Sequence, residues 1–178
     1  MTPEELKQLI RTVPDFPKPG IMFRDVTTLI GHGAGFAAAT EILADKARDA
    51  GAHAIAAIEA RGFIFGAAAA ARLGVPFVPV RKPGKLPVPV LAMDYALEYG
   101  TDTLEVDPDA VIDGQSVVLI DDIIATGGTA HAAVQLLRRA GAVVSRGLFV
   151  IDLPALGGAD RLRGADLTVD AIMAFEGD

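Results

Sequence analysis

With 178 residues, 51% hydrophobic and 22% charged, the chain has material for one core and not for two ordinary domains. Its net charge of −7 argues against non-specific binding to phosphate backbones, so any anionic substrate requires a local basic cluster. There is no cysteine, which excludes disulfides, thiolate nucleophiles and cysteine–zinc sites and suits a reducing compartment.

The acidic start, Met1-Thr2-Pro3-Glu4-Glu5, lacks the basic and apolar regions of a secretion signal. It reads instead as a helix start: Thr2 and Glu5 form a capping box, Pro3 takes the first helical position, and Leu6, Leu9 and Ile10 make an apolar stripe. Residues 14–20 hold three prolines and a glycine and are expected to be an extended loop. A helix follows over about 35–50, with Phe36, Ala39, Leu43 and Ala47 inward and Gly51 as its stop. The pattern then alternates. Apolar strands are expected at 53–58, 76–80, 116–120, 143–151 and 167–172, with helices at 63–73, ended by Gly74, and 129–140, closed by Gly141. Strands that are apolar throughout and separated by helices predict a single α/β domain with a mostly parallel central sheet covered on both faces. The longest apolar stretch, 63–80, is broken by Arg72, Gly74, Pro76 and Pro79, so no membrane span is expected and the protein is read as cytoplasmic.

Residues 82–106 interrupt the alternation with Lys82-Pro83-Gly84-Lys85-Leu86-Pro87 and then Tyr95-Ala96-Leu97-Glu98-Tyr99-Gly100. Such an insertion is read as a lid, with Leu97, Tyr99, Leu104 and Val106 forming a small antiparallel pair around Gly100.

The segment richest in chemistry runs from Val117 to Thr129. An apolar strand delivers Asp121 and Asp122 to its carboxyl end, where open α/β sheets bind ligands. Ala125, Thr126, Gly127, Gly128 and Thr129 then form a small loop that opens into a helix. Its backbone N–H groups and hydroxyls suit a phosphate, and the helix dipole adds to the attraction. Acids beside a phosphate cradle make sense if they face sugar hydroxyls, which points to a ribose 5-phosphate. The alternative is a Walker-B-like acid pair at an ordinary turn, but no G-x-x-x-x-G-K-[ST] occurs. The three histidines, His32, His53 and His131, lie on separate elements without ligand spacing and read as structural or surface residues.

This segment resembles the phosphoribosyl pyrophosphate (PRPP) motif of type I phosphoribosyltransferases. Phe16-Pro17-Lys18-Pro19-Gly20-Ile21-Met22-Phe23-Arg24-Asp25, Glu59-Ala60-Arg61-Gly62-Phe63, the run Arg81 to Pro87 and Leu97-Glu98-Tyr99-Gly100 are similar, in that order, to the adenine-specific members of that family. The resemblance covers nearly the whole chain, with a base-binding segment at about 14–30 and a flexible hood at about 82–106. It implies that Asp121 and Asp122 face the ribose hydroxyls and that residues 125–129 hold the 5-phosphate. It further implies that Ala60 and Arg61 grip pyrophosphate, with Arg81, Lys82 and Lys85 adding positive charge. Phe23 would stack on adenine, Met22 C=O and Arg24 N–H would read its edge, and Leu153 would cover the other face. Glu98 and Arg61 are the implied catalytic groups. Mg2+ is implied as a cofactor held mainly by PRPP or pyrophosphate and water, with no metal site made of protein groups alone. Adenine, PRPP, AMP and pyrophosphate are the implied ligands, and a homodimer without nucleic-acid or membrane partners is the implied assembly. A 6-oxopurine enzyme is a competing reading, but members of that group use a late lysine, and this chain has none after Lys85. A PRPP-sensing regulator is disfavoured by the acidic surface and by the absence of room for a DNA-binding segment.

Overall fold

A computed structural model describes residues 1–96 and 100–177. Helix α1, Pro3–Lys7, has the expected capping box: Thr2 Oγ1 accepts from the Glu5 N–H at 3.3 Å and the Glu5 carboxylate accepts from the Thr2 N–H at 2.8 Å. Residues 14–20, expected to be extended, instead close a hairpin between β1, Arg11–Pro14, and β2, Met22–Asp25. The Gly20 N–H is held by Asp15 Oδ1 at 2.8 Å, and the Phe16 N–H by the Ile21 carbonyl at 3.3 Å. Helix α2, Thr27–Ile30, follows, and α3, Gly33–Asp49, begins where His32 Nδ1 accepts from the Gly35 N–H at 3.0 Å.

The centre is a five-stranded, all-parallel sheet in the order β4-β3-β7-β8-β9. Its strands are β3 (Ala54–Ile58), β4 (Phe77–Val80), β7 (Ser116–Ile124), β8 (Val143–Asp152) and β9 (Thr168–Ala174). Side chains alternate between two cores, as strand geometry requires. Ala54, Ala56, Ile58, Val117 and Leu119 pack on one face with α5, Gly128–Arg139, and α6, Gly158–Arg163. Ile55, Val118 and Ile120 pack on the other with α3 and with α4, Arg61–Leu73. Helix α4 starts two residues earlier than its apolar pattern indicates, which places Arg61 and Gly62 in its first turn. Helix α6 was not anticipated. It is short, but Ala159 and Leu162 are buried beneath it.

The insertion contains an antiparallel pair formed by β5, Leu91–Ala96, and β6, Thr101–Val106; β6 holds the expected Leu104 and Val106, but its partner strand lies upstream of the expected Leu97 and Tyr99. Leu97, Glu98 and Tyr99 lie outside the described residues. The base of the hairpin is anchored: Leu104 and Val106 are fully buried, and Arg81 and Glu105 exchange backbone hydrogen bonds of 2.9 and 2.7 Å.

Candidate active site

In chain order the sheet grows from β3 outward to β4 on one side and to β7, β8 and β9 on the other. The crevice beyond the carboxyl ends of β3 and β7 is therefore the switch point at which open α/β sheets take ligands. A cleft of about 680 Å³ opens there, large enough for a small-molecule substrate.

Its floor is the end of β7. The Asp121 side chain accepts from the Asp122 N–H at 2.9 Å. Burial, then the charge of Asp122, pushes the Asp121 carboxyl well above the usual carboxylate range, against the pull of Arg61. A Cβ at position 62 would stand 2.4 Å from Asp121 Oδ1, so a larger residue than Gly62 would push this carboxylate aside. The backbone then turns through Ala125 and Thr126 to Gly127, whose φ of 74° is left-handed, and enters α5 at Gly128. The first N–H groups of α5 have no partner within the helix and no side-chain cap, an arrangement suited to an anion.

The opposite wall is the first turn of α4, reached through a cis Glu59–Ala60 peptide bond. Here the cations do not stand free. Arg61 Nε lies 2.6 Å from Asp122 Oδ2, an ion pair without the alignment of a hydrogen bond. Arg81 Nε is 2.5 Å from Glu59 Oε2, and Lys82 is paired with Asp102 and bonded to the Tyr95 hydroxyl at 2.7 Å. Arg61 and Lys82 border the cleft, whereas Arg81 and Lys85 are not among its walls, and Lys85 is exposed.

The third wall is β2. Phe23 lines the cleft, held edge-on by Phe16 with ring centres 5.1 Å apart, and the Arg61 guanidinium lies 5.8 Å from its ring centre. Met22 and Arg24 also border the cleft. The Arg24 side chain is engaged elsewhere: it donates to Thr12 Oγ1 at 2.6 Å and stacks on Phe175 at 4.5 Å. Its backbone is what it has to offer a ligand. Among the described residues β2 pairs with β1 alone, so one edge of the strand keeps unpaired peptide groups. Leu153, whose N–H is bonded to the Ile124 carbonyl at 3.0 Å, faces this region from the end of β8.

Three contributors were not singled out from the sequence. Leu156 and Ile123 complete the apolar wall. Gly158 packs backbone to backbone on the phosphate-type loop: a Cβ on it would meet the Ala125 carbonyl oxygen at 2.1 Å. The Gly157-Gly158 pair after Pro154 was the available signal, as a break that permits close approach. Among the described residues no group of three or more His, Asp or Glu is arranged to hold a metal ion, and no helix is long and apolar enough to cross a membrane.

Residues 25–155 match the model of the phosphoribosyl transferase domain. The chain is 67% identical to the adenine phosphoribosyltransferase of Novosphingobium aromaticivorans over 177 residues, 99% of each protein. It superposes with a TM-score of 0.92 on the crystal structure of adenine phosphoribosyltransferase from Thermoanaerobacter pseudethanolicus, at 47% identity and covering 98% of this chain and all of the other. The Saccharomyces cerevisiae adenine phosphoribosyltransferase, crystallised with an imino-altritol bisphosphate and adenine, aligns at 35% identity with a TM-score of 0.90 over 96% of this chain and 98% of that one. The motif order, the parallel sheet and these likenesses agree: the chain belongs to the phosphoribosyltransferase family, on its adenine phosphoribosyltransferase branch.

Proposed function

We infer that the chain is an enzyme of purine salvage that transfers the 5-phosphoribosyl group of PRPP to adenine, giving AMP and pyrophosphate. The observation that carries the reading is one cleft at the β3–β7 switch point, bordered by a glycine–hydroxyl loop at a helix N-terminus, an acid pair and a phenylalanine strand. The 5-phosphate is assigned to residues 125–129, the ribose hydroxyls to Asp121 and Asp122, and pyrophosphate to Ala60, Arg61, Lys82 and the neighbouring Arg81 and Lys85. Adenine is assigned to the space between Phe23 and Leu153, with a carbonyl and an N–H of β2 at Met22 and Arg24 matching its donor and acceptor edge.

In this reading the bond from the anomeric carbon to pyrophosphate breaks as purine N9 attacks from the opposite face, inverting the centre through an oxocarbenium-like transition state. Positioning both partners across a cleft closed to water supplies much of the rate. The N9 proton needs an acceptor, and Glu98 of the hood is the assigned group. Among the described residues no carboxylate or histidine group is arranged to hold a metal, and Mg2+ is assigned to the PRPP diphosphate, where it would neutralise leaving-group charge. We take the working unit to be a single-domain subunit of a cytoplasmic homodimer.

The test is product chromatography after mixing the protein with Mg2+, PRPP and each purine base. Hypoxanthine reverses both the donor and the acceptor that β2 would read. Leaving those buried groups mispaired costs about 3 kcal/mol, so kcat/KM for adenine should exceed that for hypoxanthine by about 100-fold or more. Equal conversion of hypoxanthine or guanine would overturn the adenine assignment.

A further inference from the structure

Lys82, Tyr95, Asp102 and Thr129 come from four different parts of the chain and meet at one phenol. The Tyr95 oxygen accepts from Lys82 Nζ at 2.7 Å and, through a long bond, from Thr129 Oγ1 at 3.4 Å. Its own proton goes to Asp102 Oδ2 at 3.2 Å. Two acceptor positions and one donor are all that a phenol has, so this hydroxyl is fully used. Burial works against the Lys82 charge, but the bonds to Asp102 and Tyr95 outweigh it and hold the ammonium above its ordinary value.

We propose that Tyr95 is a positioning residue that links Lys82, at the diphosphate end of the cleft, to Thr129 in the 5-phosphate loop, so that phosphate arriving at Thr129 changes the hydrogen bonding that positions Lys82. The proposal rests on the assignment of the cleft to PRPP. An ammonium has three protons, and Tyr95 and Asp102 take two, leaving one for a ligand oxygen from a position fixed by two different strands. Without the phenol hydroxyl, Lys82 keeps a single anchor and can swing on its four-carbon stem. Thr129 has one hydroxyl proton, given weakly to Tyr95 across 3.4 Å. A phosphate oxygen is the stronger acceptor and draws that proton away. Tyr95 then has Lys82 as its remaining donor, so filling one end of the site alters the hydrogen bonding of the other through a single atom.

The test uses the full chain with Tyr95→Phe, which removes only the hydroxyl. Calorimetry with Mg2+ and PRPP should show affinity weakened about tenfold, the loss expected for one hydrogen bond to a charged group. KM for PRPP should rise in parallel, with KM for adenine within twofold. Ribose 5-phosphate, which lacks the diphosphate, should bind both proteins alike. PRPP affinity within twofold of the unaltered protein, or ribose 5-phosphate weakened as much as PRPP, would overturn the proposal. A second measurement needs no Tyr95 variant. Lys82→Met and Thr129→Val should be non-additive in PRPP affinity by threefold or more, and additive effects would overturn the coupling. A chain that binds PRPP but makes no AMP from adenine overturns the activity reading, while the affinities still decide the role of Tyr95. One that binds neither PRPP nor ribose 5-phosphate overturns both.

Discussion

Gly158→Ala is the substitution whose effect follows most directly from backbone geometry. The added Cβ would lie 2.1 Å from the Ala125 carbonyl oxygen and 2.7 Å from the Gly127 nitrogen, where ordinary contact begins at 3.4 Å. All the opposing atoms are main chain, so no side chain can swing aside. Helix α6 cannot retreat freely, because Leu162 and Ala159 on it are packed in the core at 0% and 4% exposure. The phosphate-type loop must therefore give way by about an ångström, at an overpacking cost of about 1–3 kcal/mol. For a chain of this size that corresponds to a Tm lower by about 3–10 °C. A shift of that extent in groups that position a substrate lowers turnover by about 10²-fold. Gly157→Ala is the control. It has φ of 72° and nothing within 4 Å of an added Cβ, so it should lose about 1–2 kcal/mol from backbone strain alone. Differential scanning fluorimetry, PRPP calorimetry and AMP formation, run on both variants, separate the two effects. PRPP affinity should fall at least tenfold in Gly158→Ala and stay within twofold in Gly157→Ala. A Gly158→Ala protein with unaltered Tm and PRPP affinity would refute the close-packing argument.

Hydrogen bonds from Thr27, and then from Arg11, hold the buried Asp25 carboxyl at about 2. Because that value is depressed, the stabilisation is present above the unfolded pKa near 3.8 and is lost as pH falls towards 2. Asp25→Asn should therefore lose about 1–2 kcal/mol at neutral pH by urea unfolding, with the gap to the unaltered protein closing between pH 4 and 2; a pH-independent gap would deny the carboxylate this role. Glu98→Gln should lower kcat for AMP formation by about 10²-fold with PRPP affinity nearly unchanged, and near-normal kcat would move the proton-acceptor role elsewhere.

The parts of the fold that were legible in the sequence are those in which local pattern and tertiary fate coincide. Residues 54–58, 117–120 and 148–151 are apolar because both faces of the sheet are covered, and α4 and α5 carry their stop signals at Gly74 and Gly141. The β1–β2 hairpin was missed because distant partners hold it. Arg11 and Asp25 are ion-paired across the two strands, and Phe16 rests on Phe23, while the strands themselves are only four residues long. Helix α6 opens with glycine and follows another, so propensity counts against it, and it is fixed instead by burial of Leu162. The candidate site divides in the same way. Residues 121–129 form a single strand–turn–helix unit and can be read from the sequence. The pairing of Arg81 with Glu59, and of Lys82 with Tyr95 and Asp102, depends on strand register and cannot.

Arg61, Arg81 and Lys82, the groups assigned above to pyrophosphate, are already matched with Asp122, Glu59 and Asp102. Their counter-charges are covalent parts of the protein and not a cloud of sodium or potassium. An incoming polyanion then shares these cations with carboxylates already in place and sets few small ions free, whereas a bare basic patch releases them in numbers. Affinity should accordingly fall only gently between low and physiological ionic strength, and the acidic remainder of the surface would show itself chiefly in a slower encounter at low salt.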